Sequence, residues 1–108
     1  MEKIVWVVNY KHQDIDSAAK FGELRKLTEG NINVFALDLL LKRFADSLKD
    51  SCNEDYLLPC GSIIINMIAS VVMLEKHGVL NLLIFDLRTK EYVRRSFGRE
   101  VLKKYVNG

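Results

Sequence analysis

The sequence of 108 residues contains only two cysteines and two histidines. Two cysteines are too few for a disulfide scaffold, and with two histidines their spacing matches no known zinc pattern. We therefore expect free thiols and no bound metal. Cys60 precedes a predicted helix, whose dipole can lower a thiol pKa. Because no histidine follows it at a helpful spacing, we interpret Cys60 as a small, half-buried packing residue.

Long hydrophobic segments are also missing. Apolar runs such as VVML and LLIF are short, whereas a membrane span needs about 20 apolar residues. The first ten residues lack both the basic segment with a long apolar core and the cleavage site of a signal peptide. About half of the residues are apolar and 28% are charged, which is typical of soluble globular proteins. We expect a cytoplasmic protein that does not contact membranes.

Catalytic signatures are absent as well. The sequence has no Gly-x-Gly-x-x-Gly, no Walker loop and no Gly-x-Ser-x-Gly. His12 could act as a general base oriented by Asp14 or Asp16, although a histidine in a polar loop is usually only exposed. We expect ligand binding without turnover, and no cofactor.

Strand and helix patterns alternate along the first eighty residues. The predicted elements are strands at 3–10, 23–28 and 56–59, helices at 16–22, from Asn33 onward and at 62–77, a hairpin of 79–87 with 91–97, and a last helix at 99–106. This order predicts a mostly parallel sheet with right-handed crossovers. We predict one α/β domain over residues 1–108, a small three-layer Rossmann-like domain with a C-terminal antiparallel hairpin. An α+β sandwich with its helices on one face is the alternative.

Polar and small residues follow three of the predicted strands. In an open parallel sheet, ligands bind outside the carboxyl ends of the strands, and the predicted ligand-binding residues there are Asn9, His12, Thr28, Gly30, Gly61, Ser62 and Asn66. Gly61 would let the backbone approach a ligand, and Ser62 with the free N–H groups of its helix could receive a phosphate. Gly-Ser before a helix is a weak motif by itself, because it is more often a plain N-cap. We expect the ligand to be a phosphate-bearing small molecule such as a nucleotide.

The helix predicted at 62–77 is apolar almost all round, yet it carries one polar side. Ser62, Asn66, Ser70 and His77 lie on that side. It either faces solvent or brings Asn66 toward a ligand or a second subunit. A helix this apolar in so small a chain predicts a homodimer.

Basic residues are concentrated near the carboxyl terminus. Residues 88–108 carry seven basic and two acidic side chains, a net charge of +5, whereas residues 1–87 carry nine and twelve, a net charge of −3. The alternative function is therefore a nucleic-acid or protein interaction module acting through the basic residues Arg88, Arg94, Arg95, Lys103 and Lys104. No RNA- or DNA-binding fingerprint is present, and a solvated basic edge strand that resists aggregation is the other interpretation.

The size and layout of the chain resemble those of compact Rossmann-like domains that bind nucleotide signals, including small domains encoded by phages. This likeness is one of fold. It implies a nucleotide-type ligand but assigns a role to no individual residue.

Overall fold

The computed structural model describes residues 2–107, which form one five-stranded sheet with helical layers. The strands are β1 (Ile4–Tyr10), β2 (Glu23–Glu29), β3 (Tyr56–Leu58), β4 (Val79–Asp86) and β5 (Glu91–Gly98); the helices are α1 (Leu37–Ser47), α2 (Ile63–His77) and α3 (Arg99–Asn107), with a 3-10 helix at Asp16–Phe21. The strand order is β2-β1-β3-β4-β5. All pairings are parallel except that of β4 with β5.

The strand order explains where the helices lie. The chain moves from β1 to β2 in one direction, and then from β2 back past β1 to β3 and on to β4 in the other. Because crossovers between parallel strands are right-handed, opposite directions place their connections on opposite faces of the sheet. Accordingly, α1 and α2 cover one face and the 3-10 helix covers part of the other. This confirms the three-layer α/β prediction, although the third layer is thin.

The core consists of one apolar cluster on each face of the sheet. Alternate residues of β1 supply both clusters: Trp6 and Val8 face α1 and α2, whereas Val5 and Val7 face the 3-10 helix. This explains why the segment is almost continuously hydrophobic, since a strand buried on both faces has no wet side.

Helix α1 begins later than the sequence predicts. Its first residue is Leu37 rather than Asn33. The side-chain Oδ1 of Asn33 accepts a hydrogen bond from the backbone N–H of Phe35 at 3.0 Å, and such a local bond competes with helix formation. The buried residues of α1 are Leu40 and Phe44.

The exposed side of α2 is apolar. Ile63, Met67 and Val71, spaced four residues apart, point into solvent, while Asn66 and Ser70 are half-buried. The polar side of α2 is therefore not its solvent-facing side. Over residues 2–107, no helix combines the length and hydrophobicity that crossing a membrane requires.

Candidate functional site: a polar network and a cationic cleft

Four of the predicted ligand-binding residues meet at the carboxyl ends of the parallel strands. The side-chain amide of the fully buried Asn9 donates to Thr28 Oγ1 at 2.9 Å and to the backbone oxygen of Gly30 at 3.1 Å. Its Oδ1 accepts from the backbone N–H of Ser62 at 2.9 Å. Thr28 Oγ1 in turn donates to the backbone oxygen of Val8. We call these bonds the carboxyl-edge network, and they join β1 to β2 and to the start of α2.

Gly61 and Asn66 complete the turn between β3 and α2. Gly61 has a φ of +74°, and a Cβ there would lie 2.4 Å from both the backbone oxygen and Oδ1 of Asn9. The close approach that glycine permits is therefore made by Asn9. Asn66 donates to the backbone oxygens of Cys60 and Ser62 at 2.7 and 2.6 Å, and it accepts from the N–H of Cys60 at 3.1 Å. Asn66 thus holds the turn in shape.

The start of α2 keeps some groups available to an anion. The Ser62 side chain makes no capping bond, and the first N–H that bonds within the helix is that of Asn66, which donates to the backbone oxygen of Ser62 at 3.1 Å. The N–H groups of residues 63–65 have no intrahelical partner, as at any helix start. These groups and the Ser62 hydroxyl are what the carboxyl edge offers to a ligand.

His12 stands apart from the carboxyl-edge network. Its side chain is exposed and packs edge-on against Tyr10, with 5.5 Å between ring centroids. Asp14 accepts a hydrogen bond from the backbone N–H of Asp16, so its carboxylate is engaged in the turn that leads into the 3-10 helix. No carboxylate within residues 2–107 bonds to His12, and no cluster of three histidine, cysteine or acidic side chains in that part of the chain could hold a metal ion.

Cys60 lies next to the same network but is not activated. Its Sγ donates to the backbone oxygen of Asn9 at 3.4 Å. Burial raises the pKa of the thiol and outweighs the opposing effect of its hydrogen bonds with the Asn9 and Val8 backbones. A thiol in this state is a poor nucleophile at neutral pH.

A second site, which the sequence does not predict, lies toward the amino ends of the parallel strands. It is a cavity of about 420 Å³, whose lining includes Lys3, Glu54, Tyr56, Asn81, Arg94 and Arg95. We call it the amino-edge cleft. Lys3 and Arg94 outnumber the one carboxylate, Glu54. The Arg95 side chain, next along β5, instead lies on the opposite face of the sheet and also lines a depression with Ile84 and Val93.

The cleft is open because the 3-10 helix is short. This helix lies against β1, β2 and β5, and Phe21 at its end packs edge-on against Tyr56, with ring centroids 5.8 Å apart. Beyond Phe21 the face of the sheet is uncovered. Side chains of β5 alternate between faces, so Arg94 lies on the face of the buried Tyr92, further along toward the uncovered end.

The floor of the cleft is held by a buried carboxylate beneath it. Asp55 accepts hydrogen bonds from the backbone N–H groups of Ile4 and Cys52 and from the indole N–H of Trp6, at 2.9 to 3.1 Å. These bonds fix the beginnings of β1 and β3, and so the positions of Lys3 and Tyr56.

Asn81 in β4 links the floor of the cleft to the loop before β3 and to β5. It donates to the backbone oxygens of Asn53 and Asp55 at 2.8 and 3.1 Å, and its Oδ1 accepts from Ser96 Oγ at 2.8 Å. The cleft is therefore built on side chains whose positions are fixed by the fold.

Two cations flank Tyr56 in the cleft. Arg94 Nη1 donates to the Tyr56 hydroxyl at 3.3 Å, and Lys3 Nζ lies 5.6 Å from the centre of the Tyr56 ring. Across residues 2–107, neither cation forms a salt bridge. Both charges thus remain available to an anion.

The basic residues of the alternative function do not form one surface. Arg94 and Arg95 line the amino-edge cleft, but Arg88 lies in the β4–β5 turn at the other end of the hairpin, where it pairs with Asp86 at 3.7 Å. Lys103 and Lys104 lie on α3. The eight residues of β5, about 26 Å long, separate the turn from α3.

Fold and site together define a small α/β protein with a cationic cleft and, within the described residues, no metal-binding cluster. The chain belongs to the family described as Phage Pam3 gp32-like protein, whose model matches residues 4–98. This match includes all five strands and ends just before α3. No curated protein and no solved structure is significantly similar to the chain.

Proposed function

We propose that this protein binds a small phosphate-bearing molecule, such as a nucleotide, in the amino-edge cleft and does not turn it over. One observation carries the proposal: Lys3 and Arg94 approach the same tyrosine across an open polar cavity without a carboxylate partner. The family match is compatible with a phage-encoded protein, which belongs to the alternative function, and it does not bear on ligand binding.

The chemistry of the cleft suits a phosphate. A guanidinium offers several N–H donors in a planar fork that matches phosphate oxygens, and a lysine adds a compact positive charge. The volume of about 420 Å³ lies within the range of small-molecule sites. Tyr56 is buried at 3% exposure, so it contributes by positioning the Arg94 guanidinium through its hydroxyl rather than by offering a surface for the ligand.

The same lining argues against turnover. It contains no histidine or cysteine, and its single carboxylate, Glu54, is exposed. General acid–base catalysis needs a group whose pKa is matched to the reaction, usually held within hydrogen-bond reach of a second functional group. Arginine, lysine, asparagine and serine instead form a set that binds and orients an anion.

The start of α2 is a second place where the same ligand could bind. The observation in its favour is the free Ser62 hydroxyl beside three N–H groups without an intrahelical partner. The charges favour the amino-edge cleft, because no lysine or arginine belongs to the carboxyl-edge network. The alternative, binding to a long nucleic acid, has less support. Its basic residues lie at opposite ends of the β4–β5 hairpin and on α3, so they do not form one continuous surface.

Calorimetric titration with nucleoside mono-, di- and triphosphates tests the proposal. Arg94→Ala should weaken binding about 10- to 100-fold, since hydrogen bonds to charged groups contribute roughly 1.5–3 kcal/mol. Arg88→Ala, which removes an equally basic side chain from the same hairpin, is the matched control and should leave the affinity unchanged. Ser62→Ala should also leave it unchanged.

Two results would contradict the proposal. If no nucleotide binds at millimolar concentration, the cleft does not have this function. If Ser62→Ala abolishes binding while Arg94→Ala does not, the ligand binds at the start of α2 and the cleft must be abandoned as the site.

A further inference from the structure

Helix α3 is amphipathic, and residues 2–107 leave its apolar side largely uncovered. Val101, Leu102, Tyr105 and Val106 recur at the three- and four-residue spacing of one helix face. All four are exposed, with Tyr105 and Val106 at 77% and 71%. An isolated helix of nine residues is marginal in water, because helices of this length gain most of their stability from packing of the apolar face.

The start of α3 is firmly attached. The backbone N–H of Arg99 donates to the oxygen of Gly78 at 2.9 Å, and its guanidinium donates to the backbone oxygens of Leu74 and Glu75, both at 2.9 Å. The helix is thus held at the end of α2 while its apolar side remains uncovered.

A groove with the complementary character runs between α1 and α2. Leu37 and Leu41 form one wall, and Ile64, Met67 and Val71 form the other. Met67 and Val71 are each 60% exposed and Leu37 is 50% exposed. The groove contains two adjoining depressions of about 370 and 500 Å³, and α2 carries no charged residue from position 63 to position 74. We call this the α1–α2 groove.

The helix and the groove match in length. At about 1.5 Å per residue, the nine residues of α3 extend about 13 Å, and the groove wall from Ile64 to Val71 extends about 12 Å. An amphipathic helix that lays its apolar side into a hydrophobic groove is a common mode of recognition. Within the described chain, α3 leaves its own groove uncovered.

The exposed area identifies a second copy as the occupant. With roughly 60–120 Å² for each fully exposed apolar side chain, the exposed fractions of these residues give α3 and the groove together roughly 300–600 Å² of apolar surface. A standard interface buries about 800 Å² on each partner, a little over half of it apolar. Exchange of α3 between two copies buries both surfaces at once. A contact of groove against groove would bury only about half of this area and leave α3 in water.

We propose that the protein forms a two-fold symmetric dimer in which α3 of each copy lies in the α1–α2 groove of the other. The exchange is reciprocal, so it closes at two copies and does not extend into a fibre. The sequence predicts a homodimer from the apolar character of α2, and the exchange of α3 specifies which surfaces that dimer would use. This proposal does not depend on ligand binding in the amino-edge cleft.

Light scattering coupled to size exclusion, with two oppositely charged variants, tests this arrangement. The wild type should have twice the mass of one chain. Met67→Lys in the groove and Tyr105→Glu on α3 should each be monomeric. Both side chains are exposed in the chain itself, and circular dichroism verifies that each variant folds. Leu87→Lys, which changes an exposed residue outside both surfaces, is the control and should remain dimeric.

Mixing the two variants provides the decisive measurement. An equimolar mixture of Met67→Lys and Tyr105→Glu should recover the dimer mass, because one exchange contact is wild type and the other pairs a lysine with a glutamate. A monomeric wild type at high concentration would overturn the proposal. A Tyr105→Glu variant that remains fully dimeric, or a mixture of two monomeric variants that stays monomeric, would also overturn it.

Discussion

Asn9 Oδ1 accepts the backbone N–H of Ser62 at 2.9 Å, and this bond joins the end of the first strand to the start of α2 across the point where the strand order reverses. Ligands commonly bind at that point in open α/β sheets. Here the side chain of Asn9 occupies that point, and its amide makes hydrogen bonds to Thr28, to Gly30 and to Ser62.

Replacing Asn9 should therefore cost stability. Asn9→Ala removes the donor to the buried Thr28 hydroxyl and leaves the partly buried Ser62 N–H without its acceptor, and we expect a loss of about 2–3 kcal/mol in the free energy of unfolding. Urea denaturation measures it. Asn33→Ala, which removes an exposed asparagine with one local bond, is the control and should cost less than about 1 kcal/mol. Equal losses in the two variants would show that the network does not stabilise the fold.

Substituting two glycines, Gly30 and Gly61, distinguishes the cost of a strained backbone conformation from the cost of a steric clash. Gly61 and Gly30 both have left-handed φ values, +74° and +69°, but a Cβ on Gly30 would have no neighbour within 4 Å. Gly30→Ala should cost about 1 kcal/mol for its conformation alone. Gly61→Ala should cost at least about 2 kcal/mol more, because its Cβ overlaps Asn9. Similar urea midpoints for the two variants would contradict the close contact.

The pH dependence of stability should report on His77. Burial, followed by the positive charge of Lys76, lowers the pKa of His77 below its usual value of 6.5. Ser51 Oγ donates to the backbone oxygen of Leu48 and so accepts from His77 Nε2–H at 2.8 Å. The unfolded chain therefore binds the proton that charges His77 more readily than the folded protein does. The stability that neutral His77 contributes to the fold is present above about pH 6.5 and is lost as the pH falls through the folded-state pKa.

The measurement is the urea midpoint between about pH 8 and pH 5.5. The wild-type midpoint should fall over this range, and His77→Gln should flatten the decline. His12→Gln changes an exposed histidine and should keep the wild-type slope. If the urea midpoint of His77→Gln fell with pH as steeply as that of the wild type, another titratable group would control the pH dependence of stability.

Cys60 should react slowly while the protein is folded. Its raised pKa keeps the thiol protonated at neutral pH, and its Sγ is engaged with the Asn9 carbonyl. In a Cys52→Ser background, iodoacetamide should modify Cys60 clearly more slowly in the native protein than in urea, and the native rate should rise only at alkaline pH. Native and unfolded rates that coincide near pH 7 would contradict this.

Much of the fold could be predicted from local patterns. Unbroken hydrophobicity identified β1 as a strand buried on both faces, and the alternation of strands and helices gave the parallel order with its final hairpin. The start of α1 could not be predicted, because the bond from Phe35 N–H to Asn33 Oδ1 competes with a helix whose apolar spacing continues upstream. The outward direction of Met67 and Val71 could not be predicted either, since hydrophobicity alone does not say which side of an apolar helix lies uncovered.

The two candidate sites differ in how far their residues could be predicted from the sequence. Asn9, Thr28 and Ser62 could be grouped in advance because the carboxyl ends of parallel strands converge. The amino-edge cleft combines Lys3, Tyr56 and Arg94 from three distant segments, and it depends on the pairing of β4 with β5 and on where the 3-10 helix ends. The charge count signalled Arg94 and Arg95, but nothing local connected them with Lys3.

Mapping of a bound nucleotide by two-dimensional ¹H–¹⁵N NMR tests the central claim most directly. On titration with a nucleoside triphosphate, we predict that the backbone amides of Tyr56, Asn81 and residues 94–96 shift in a saturable manner, while those of residues 62–65 do not. Shifts confined to residues 62–65, or no saturable shift at all, would contradict a phosphate-binding amino-edge cleft.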